Sequence, residues 1–224
     1  MTARQIVLDL PTTPPQMTRD NFVVAASNQK ALSMMKAWTG SGEPLLAICG
    51  PQGSGKTHLG RILSETIAAD FLRAEGADPE LAGARPIVFD DVDQLRAPAA
   101  LLAFVFEAIN GGRRLVLIGR GEPRDWAAGQ RDLETRLNAA MRIDLAEPDE
   151  ALLRAVMAKL FRDRQLRVGE AIADYAAPRI RKTFAAASAF VAALDAASFE
   201  GGEPIGLRLA RAVIANHSEA PSGA

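Results

Sequence analysis

Residues 50–59 read Gly50-Pro51-Gln52-Gly53-Ser54-Gly55-Lys56-Thr57-His58-Leu59 and directly follow the apolar run 45–49. They contain every fixed position of the pattern G-x-x-x-x-G-K-[ST], between a strand-like and a helix-like segment. The glycines let backbone N–H groups turn towards phosphates, Lys56 supplies a cation and the Thr57 hydroxyl can bind Mg²⁺. The pattern predicts a phosphate-binding loop (P-loop) whose residues 50–58 contact a nucleotide. The alternative is a glycine-rich turn without chemical function.

The composition is that of a globular protein. The chain has 224 residues, of which 48% are hydrophobic, and a net charge of −1. A protein with this net charge lacks the strong positive electrostatic field that nucleic-acid binding usually needs, so we expect no sequence-specific DNA binding. Cys49 is the only cysteine, which favours a reducing cytoplasm and a role as a small buried hydrophobe. No apolar run approaches the roughly 18 residues of a membrane span, and we expect no membrane contact.

The apolar pattern before residue 147 alternates between strands and helices. Ser27 is a plausible N-cap for the first helix. The predicted strands lie at 45–49, 71–74, 87–91, 115–118 and 141–145, and the predicted helices at 27–38, from the P-loop to before Asp70, and at 99–110. This order predicts an α/β fold with a parallel sheet flanked by helices and a ligand at the carboxyl ends of the strands.

The pattern changes at residue 147, after which we find stripes of helical spacing at 152–161, 184–194 and 207–214. These stripes predict a small all-α unit after the α/β core. The predicted segments are a flexible N-terminal tail at 1–19, a nucleotide-binding core at 20–146, a helical lid at 147–217 and a disordered tail at 218–224.

Two carboxylates end the third predicted strand. Mg²⁺ prefers oxygen ligands, so Asp90 is the candidate that holds the metal together with Thr57. Asp91 points elsewhere and is the candidate that polarises an attacking water. The alternative is a solvated strand end. Asp93 is interpreted as an ordinary loop carboxylate.

The segment Thr18-Arg19-Asp20-Asn21-Phe22-Val23-Val24-Ala25-Ala26-Ser27-Asn28, together with Gly-Lys-Thr-His-Leu at 55–59, resembles the AAA+ ATPases of the DnaA initiator clade. The resemblance extends over about residues 18–195. It implies a P-loop AAA+ core with a helical lid, and ADP or ATP with Mg²⁺ as cofactors. It also implies that residues 22–24 enclose the adenine, that Asn28 and His58 belong to the nucleotide site, and that Asp90 and Asp91 form the second acidic motif.

Two further motifs carry arginines. Residues 133–137, Leu-Glu-Thr-Arg-Leu, resemble the arginine-finger motif of the family, which implies that Arg136 reaches a nucleotide held by a neighbouring subunit. Taken by itself, Arg136 is an ordinary exposed arginine. Residues 179–184 resemble the lid motif that places an arginine over the phosphates. Arg181 is the candidate by position, with Arg179 as the competing one.

One position departs from the family pattern. After strand 115–118 the family offers a small polar or acidic residue that orients water, whereas this chain has Gly119-Arg120-Gly121. Arg120 accepts no hydrogen bond. We therefore expect weak intrinsic ATPase activity alongside nucleotide binding.

The hexapeptide Gln5-Ile6-Val7-Leu8-Asp9-Leu10 lies in the proline-rich tail. Gln5, Leu8 and Leu10 match a sliding-clamp-binding pattern, and the chain ends without the helix-turn-helix domain of DnaA. These features resemble the Hda-like regulators of replication initiation. The resemblance implies two partners, DnaA and the sliding clamp (the beta subunit of DNA polymerase III). We also expect a cytoplasmic location, associated with the nucleoid or replisome, and a possible homodimer or higher oligomer. The alternative for the hexapeptide is a strand that packs on the protein's own domain. The alternative for the whole chain is a helicase-loader-type or DnaA-type ATPase.

Overall fold

The computed structural model describes residues 17–74, 85–95 and 98–218, and a five-stranded parallel sheet lies at its centre. The strands are β1 (Leu45–Cys49), β2 (Asp70–Arg73), β3 (Ile87–Asp90), β4 (Leu115–Gly119) and β5 (Met141–Asp144). Their order is β2-β3-β4-β1-β5. In this register Cys49 lies opposite Gly119 on one side and Asp144 on the other. The segment after β1 therefore emerges between the ends of β4 and β5.

Helices cover both faces of the sheet and continue beyond it. They are α1 (Ala26–Gly40), α2 (Lys56–Thr66), α3 (Pro98–Asn110), α4 (Pro123–Trp126), α5 (Arg131–Ala139), α6 (Glu150–Asp163), α7 (Glu170–Ala176), α8 (Phe184–Gly201) and α9 (Leu207–Ser218). Short 3-10 turns span Arg19–Asn21 and Val92–Gln94.

The two faces of the sheet form two apolar layers. Leu46 and Ile48 of β1 pack in one layer with α1 and α2. Leu45 and Ala47, which point to the opposite face because side chains alternate along a strand, pack in the other layer with α3 and α5. Every residue of β1 is buried, as expected for a central parallel strand. This buried position fixes β1 and the loop that follows it.

Helices α6 to α9 form a third apolar cluster, separate from the two sheet layers. The Asp149 carboxylate accepts a hydrogen bond from the Leu152 N–H at 2.7 Å and so caps α6. The Thr183 hydroxyl caps α8 by accepting from the Ala186 N–H at 3.1 Å. These four helices correspond to the predicted helical lid, and we call them the lid.

The structure confirms the predicted strands to within one or two residues and the helices around them. The predicted N-cap of α1 is wrong: the helix begins one residue before Ser27, and the Asn28 side chain binds the N–H of Ala25. Helix α2 ends at Thr66, before Asp70 as predicted. No helical stripe predicted α4, α5 or α7, of which α4 and α7 are only four and seven residues long.

Helix α8 is long and apolar enough, by length and composition alone, to span a membrane. The expectation that no segment approaches this length is therefore wrong. Ala187, Phe190, Val191 and Leu194 of α8 are buried in the apolar cluster of the lid. Helices from the core of a helical unit pass the same test, so α8 is weak evidence for a membrane contact.

Candidate functional site

The P-loop connects β1 to α2 at the carboxyl edge of the sheet. Gly53 and Gly55 adopt left-handed conformations, with φ of 78° and 92°, which glycine adopts without the penalty that a Cβ brings. The Lys56 ammonium donates hydrogen bonds to the backbone carbonyls of Gly50 and Pro51, both at 2.8 Å. Lys56 is buried, so its cation is held inside the curve of the loop.

The beginning of α8 rests on the P-loop. A Cβ built on Gly53 would lie 2.6 Å from Cγ2 of Thr183, and one on Gly55 would lie 3.0 Å from the Phe184 ring. Both glycines are therefore required by close approach as well as by backbone conformation. The contact brings the lid directly against the loop, and no motif in the sequence predicted it.

The residues predicted to bind Mg²⁺ fit such an ion. The Asp90 side chain is buried at the end of β3, and its Oδ2 has no hydrogen-bond partner among the described residues. Burial raises the pKa of the Asp90 carboxyl, and interaction with the Thr57 hydroxyl opposes the shift. A hydroxyl beside a buried carboxylate with a free oxygen suits a hard cation. Thr57 and Asp90 would hold the ion, which would neutralise phosphate charge.

The free Asp90 oxygen leads to a stability prediction. Asp90→Asn keeps the shape and removes the buried charge, so we expect the nucleotide-free protein to gain about 1 kcal/mol of unfolding free energy at pH 7. Because the folded pKa of Asp90 is raised above its ordinary value of 3.8, the charge destabilises the fold above that pKa and has no effect well below 3.8. The gain should therefore shrink as the pH falls through the raised pKa towards 3.8, and vanish well below 3.8.

Urea unfolding of both proteins at several pH values measures this difference. In the same variant the Mg²⁺-dependent part of nucleotide affinity should be lost. A variant that is less stable than the parent at pH 7 would show that the carboxylate is needed by the fold itself.

Asp91 points away from Asp90. It has a left-handed backbone, with φ of 61°, and its carboxylate accepts hydrogen bonds from Arg73 of β2 at 2.5 and 3.2 Å. The Asp91 N–H donates to Asp90 Oδ1 at 3.0 Å. Asp91 therefore helps to orient Asp90, and the predicted role of polarising water would require its carboxylate to leave Arg73.

Asp93 and Arg120 form an ion pair beside the P-loop. The Arg120 backbone N–H and Nε donate to the two carboxylate oxygens of Asp93, at 2.9 and 2.7 Å. Burial lowers the pKa of Lys56, and among the charges that oppose this shift Asp93 acts most strongly, ahead of Asp90. Asp93 thus contributes to the electrostatics of the site, and its prediction as an ordinary loop carboxylate is incomplete.

The segment 18–24 lies against α2. The Phe22 ring meets the His58 ring edge-on with centroids 5.1 Å apart, and His58 Nε2 is 2.8 Å from the carbonyl oxygen of Thr18. Asn28 is buried and its amide donates to the carbonyl of Val23 at 2.8 Å. Asn28 and His58 therefore position the segment that the resemblance assigns to the adenine.

An open cleft of about 470 Å³ separates this segment from the lid. The lining is half apolar, with Phe22, Val23, Ala155 and Ala158, and half charged, with Asp20, Lys159, Arg162 and Asp163. Lys159 of α6 joins the two sides by donating to the Asn21 side chain at 2.9 Å. Phe22 and Val23 are half-buried, whereas Val24 is 57% exposed. The cleft offers room for a flat ring between the segment and α6.

Arg136 lies on α5, away from the P-loop elements. Its guanidinium stacks on the Phe106 ring of α3 at 3.8 Å from the ring centroid. The side chain is half-buried, and its neighbours Leu133 and Leu137 on the helix are buried in the sheet layer. The guanidinium is thus held between α3 and α5, which pack on the sheet face opposite to α2.

The two lid arginines differ in their contacts. The Arg179 guanidinium stacks on Tyr175 and donates to its carbonyl at 2.8 Å. Arg181 is exposed, and no side-chain partner for it occurs in the described part of the chain. It is two residues before Thr183, which contacts the P-loop. This arrangement favours Arg181 as the arginine available to a phosphate.

Other predicted residues have simpler positions. Ser54 is buried, and its hydroxyl has no partner among the residues described, while Pro51 and Gln52 are exposed at the tip of the loop. Burial raises the pKa of the Cys49 thiol to about 12, in agreement with a buried apolar role. The predicted clamp-binding residues Gln5, Leu8 and Leu10 lie outside the described residues.

No known family model matches the chain, and no curated protein sequence matches it. Solved structures do. Domain III of the Thermotoga maritima replication initiation protein DnaA has a TM-score of 0.78 at 18% identity, with 93% of this chain and 100% of that chain covered. AMPPCP-bound DnaA from Aquifex aeolicus has a TM-score of 0.68 at 17% identity, over 84% of this chain and 68% of that one.

The Thermotoga maritima RuvB Holliday junction branch migration motor is also similar, with a TM-score of 0.70 at 16% identity over 90% of this chain and 72% of that chain. DnaA and RuvB are AAA+ ATPases. The chain therefore has the P-loop AAA+ fold, which confirms the predicted fold class.

Proposed function

We propose that this protein is an AAA+ nucleotide-binding regulator of replication initiation of the Hda-like kind. In this proposal its N-terminal tail binds the sliding clamp, and Arg136 promotes hydrolysis of ATP held by DnaA. The observation that carries the proposal is the site at the carboxyl edge of the sheet, where Lys56, Thr57 and Asp90 provide a cation, a hydroxyl and a carboxylate for a magnesium nucleotide. The likeness of the fold to DnaA domain III supports DnaA as the partner.

Nucleotide binding is the first part of the proposal. The buried Ser54 hydroxyl and Asp90 Oδ2 lack partners among the described residues, and buried polar atoms without partners are costly unless a ligand satisfies them. A magnesium nucleotide supplies phosphate oxygens, a cation and water to these atoms. In this proposal ADP or ATP binds between segment 18–24, the P-loop and the lid.

Catalysis in trans is the second part. An arginine that stabilises phosphoryl charge in another subunit must be presented at the surface, and a guanidinium suits this role because it is planar and offers several donors. Arg136 stacks on Phe106 at the surface, which orients the guanidinium before a partner arrives. In this proposal two nucleotides have different roles. The nucleotide bound by this chain orders its core and lid, whereas the ATP that is hydrolysed is bound by DnaA.

Clamp binding is the third part, and it is tested through the tail. A triple variant with Gln5, Leu8 and Leu10 changed to Ala should lose clamp binding, because an extended peptide binds a groove through such side chains. The melting temperature should stay within about 2 °C of the parent, because the proposal assigns these side chains to the clamp and not to the fold. Surface plasmon resonance with immobilised clamp measures binding, and a Thr12→Ala, Thr13→Ala double variant is the matched control from the same tail.

Retention of clamp binding by the triple variant would show that Gln5 to Leu10 is not the anchor. A large loss of melting temperature would show instead that these leucines pack in the core.

A helicase-loader-type or DnaA-type ATPase is the second candidate function. Such a protein has its own hydrolytic cycle and affinity for single-stranded DNA, and needs no clamp-binding peptide. The distinguishing experiment measures DnaA-bound ATP hydrolysis with clamp loaded on DNA, with and without this protein. Stimulation supports the Hda-like proposal, whereas DNA-dependent turnover by this protein alone favours the second candidate.

A further inference from the structure

Two arginines lie against one tyrosine on the surface of the lid. Tyr175 of α7 is half-buried, and the guanidinium carbons of Arg179 and Arg211 lie 4.1 and 5.7 Å from the centroid of its ring. Both arginines are exposed. Arg208 is also exposed and lies three residues before Arg211, on the same side of α9. We call these four residues the lid patch.

The lid patch keeps most of its positive charge. In the described part of the chain, the two arginines that lie against Tyr175 form no ion pair. Asp174, the preceding residue, pairs with Arg154 of α6 at 3.5 Å. Arg208 pairs with Glu203, but its side chain is 83% exposed, and ion pairs between exposed groups contribute little. The lid patch is therefore a local excess of positive charge on a chain whose net charge is −1.

A guanidinium that stacks on a ring still has N–H groups for another ligand. Arg179 donates one N–H to the Tyr175 carbonyl at 2.8 Å, and its other N–H groups have no partner among the residues that the structure describes. The planar fork of these groups matches the oxygens of a phosphate, while the face of the guanidinium rests on the aromatic ring. The ring also orients a long side chain before a ligand arrives, which lowers the entropy cost of binding. The lid patch is thus suited to phosphate groups.

The arrangement favours a row of phosphates over a stacked base. Arg208 and Arg211 are about 4.5 Å apart along the axis of α9, and Arg179 adds a third cation from the segment after α7. Sites for single-stranded DNA usually offer an aromatic face on which a base stacks. In the lid patch, Arg179 already lies on the Tyr175 ring. The backbone of duplex DNA needs only the cations.

We propose that the lid patch binds the phosphodiester backbone of duplex DNA without sequence preference. Phosphate contacts position a protein on DNA and carry no sequence information, in agreement with the expected lack of sequence-specific binding. The use of this contact rests on the proposed function, in which the clamp that holds the tail is loaded on DNA. The contact itself requires neither clamp nor DnaA, so it is tested separately.

The lid patch acts as a second anchor beside the tail. Non-specific DNA binding has a Kd of about 10⁻⁴ to 10⁻⁶ M at physiological salt, and three arginines correspond to the weak end of this range. A tail that is bound to a clamp on the same DNA makes the second contact intramolecular and raises its effective concentration. The lid therefore contacts DNA mainly where a clamp is present.

Fluorescence anisotropy of a short labelled duplex of mixed sequence, titrated with the full chain over a series of salt concentrations from about 50 mM upwards, tests the inference. The double variant Arg179→Gln, Arg211→Gln should bind the duplex about tenfold or more weakly at the lowest salt. The slope of log K against log salt should decrease by about 1 for each arginine removed, because each phosphate contact releases counterions. A double change of the same residues to Lys should keep the slope but bind about threefold more weakly, since it keeps the charge without the stacked fork.

Arg167→Gln is the matched control. Arg167 is an exposed arginine of the lid that precedes α7, whereas Arg179 follows it. The control removes the same charge outside the lid patch, so duplex affinity should change by less than about twofold. An equal loss in Arg167→Gln and in the Gln double variant would show a diffuse charge effect and overturn the inference.

Three other results would also overturn it. One is a parent protein that binds no duplex at the lowest salt, and another is a Gln double variant with the affinity and salt slope of the parent. The third is a preference of about tenfold or more for a single strand of the same length, which would show base stacking and favour the loader-type candidate function. None of these results bears on nucleotide or clamp binding, which are measured without DNA. Loss of ADP affinity in the Gln double variant would assign Arg179 to the nucleotide and contradict its place in the lid patch.

Discussion

Lys56→Ala should weaken the binding of ADP and AMPPCP alike by about a hundredfold or more. The Lys56 ammonium donates to the Gly50 and Pro51 carbonyls at 2.8 Å, so it holds the loop in shape and also supplies the nearest cation. A charged hydrogen bond contributes about 1.5–3 kcal/mol, and the upper value corresponds to a factor of about a hundred. The loss of loop shape adds to this effect and does not depend on the number of phosphates.

Calorimetry with both nucleotides measures the effect, and Lys56→Met separates the two causes because it keeps the length of the side chain without the charge. Lys30→Ala is the control, since Lys30 is exposed on α1. Binding by Lys56→Ala that equals the parent would remove the P-loop from the proposed function. A selective loss of AMPPCP binding would contradict the role assigned to Lys56, because the predicted effect does not depend on the number of phosphates.

The central part of the fold could be predicted because its signals are local. The fully buried strands β1 and β4 are continuous apolar runs, which is typical of central parallel strands. The P-loop that follows β1 indicates a strand before it and a helix after it, so few other folds fit the pattern. The left-handed glycines 53 and 55 are also local requirements of the loop. The same reasoning failed for the cap of α1, because the N-cap is Ala25, which has no capping side chain, and Asn28 inside the helix accepts from the Ala25 N–H.

The parts of the site that escaped prediction depend on contacts across the fold. Asp93 and Arg120 are 27 residues apart, and only the strand order brings the ends of β3 and β4 together. The contact of Thr183 with Gly53 likewise depends on how the lid packs on the core. A possible signal for Asp93 was its position three residues after Asp90, which is at the carboxyl edge where ligands bind in α/β sheets.

Arg136→Ala should abolish most of the stimulation of DnaA-bound ATP hydrolysis while leaving the protein itself largely unchanged. Arginine fingers contribute about 10³ to 10⁵ in rate, which corresponds to about 4 to 7 kcal/mol of barrier. The expected cost in stability is far smaller: Arg136 makes a stacking contact with Phe106, and such contacts at exposed sites contribute about 0.5–1 kcal/mol. The affinities of the Arg136→Ala variant for nucleotide and for the clamp should therefore equal those of the parent.

The Phe106 contact adds a second test of the same role. Phe106→Leu keeps an apolar side chain and removes the ring that orients the guanidinium, so stimulation should fall by less than in Arg136→Ala, by about tenfold. Arg136→Lys should restore little activity, because a point charge does not reproduce the planar fork of donors.

The assay is hydrolysis of DnaA-bound ATP in the presence of clamp loaded on DNA, with all variants at equal concentration. Arg131→Ala is the matched control, because Arg131 begins the same helix and is exposed. Stimulation by Arg136→Ala equal to that of the parent would place the finger elsewhere. An arginine finger acts only on a nucleotide held by a partner, so a parent protein that gives no stimulation of DnaA would refute the Hda-like proposal. DNA-dependent ATP turnover by the parent protein alone would then favour a loader-type ATPase.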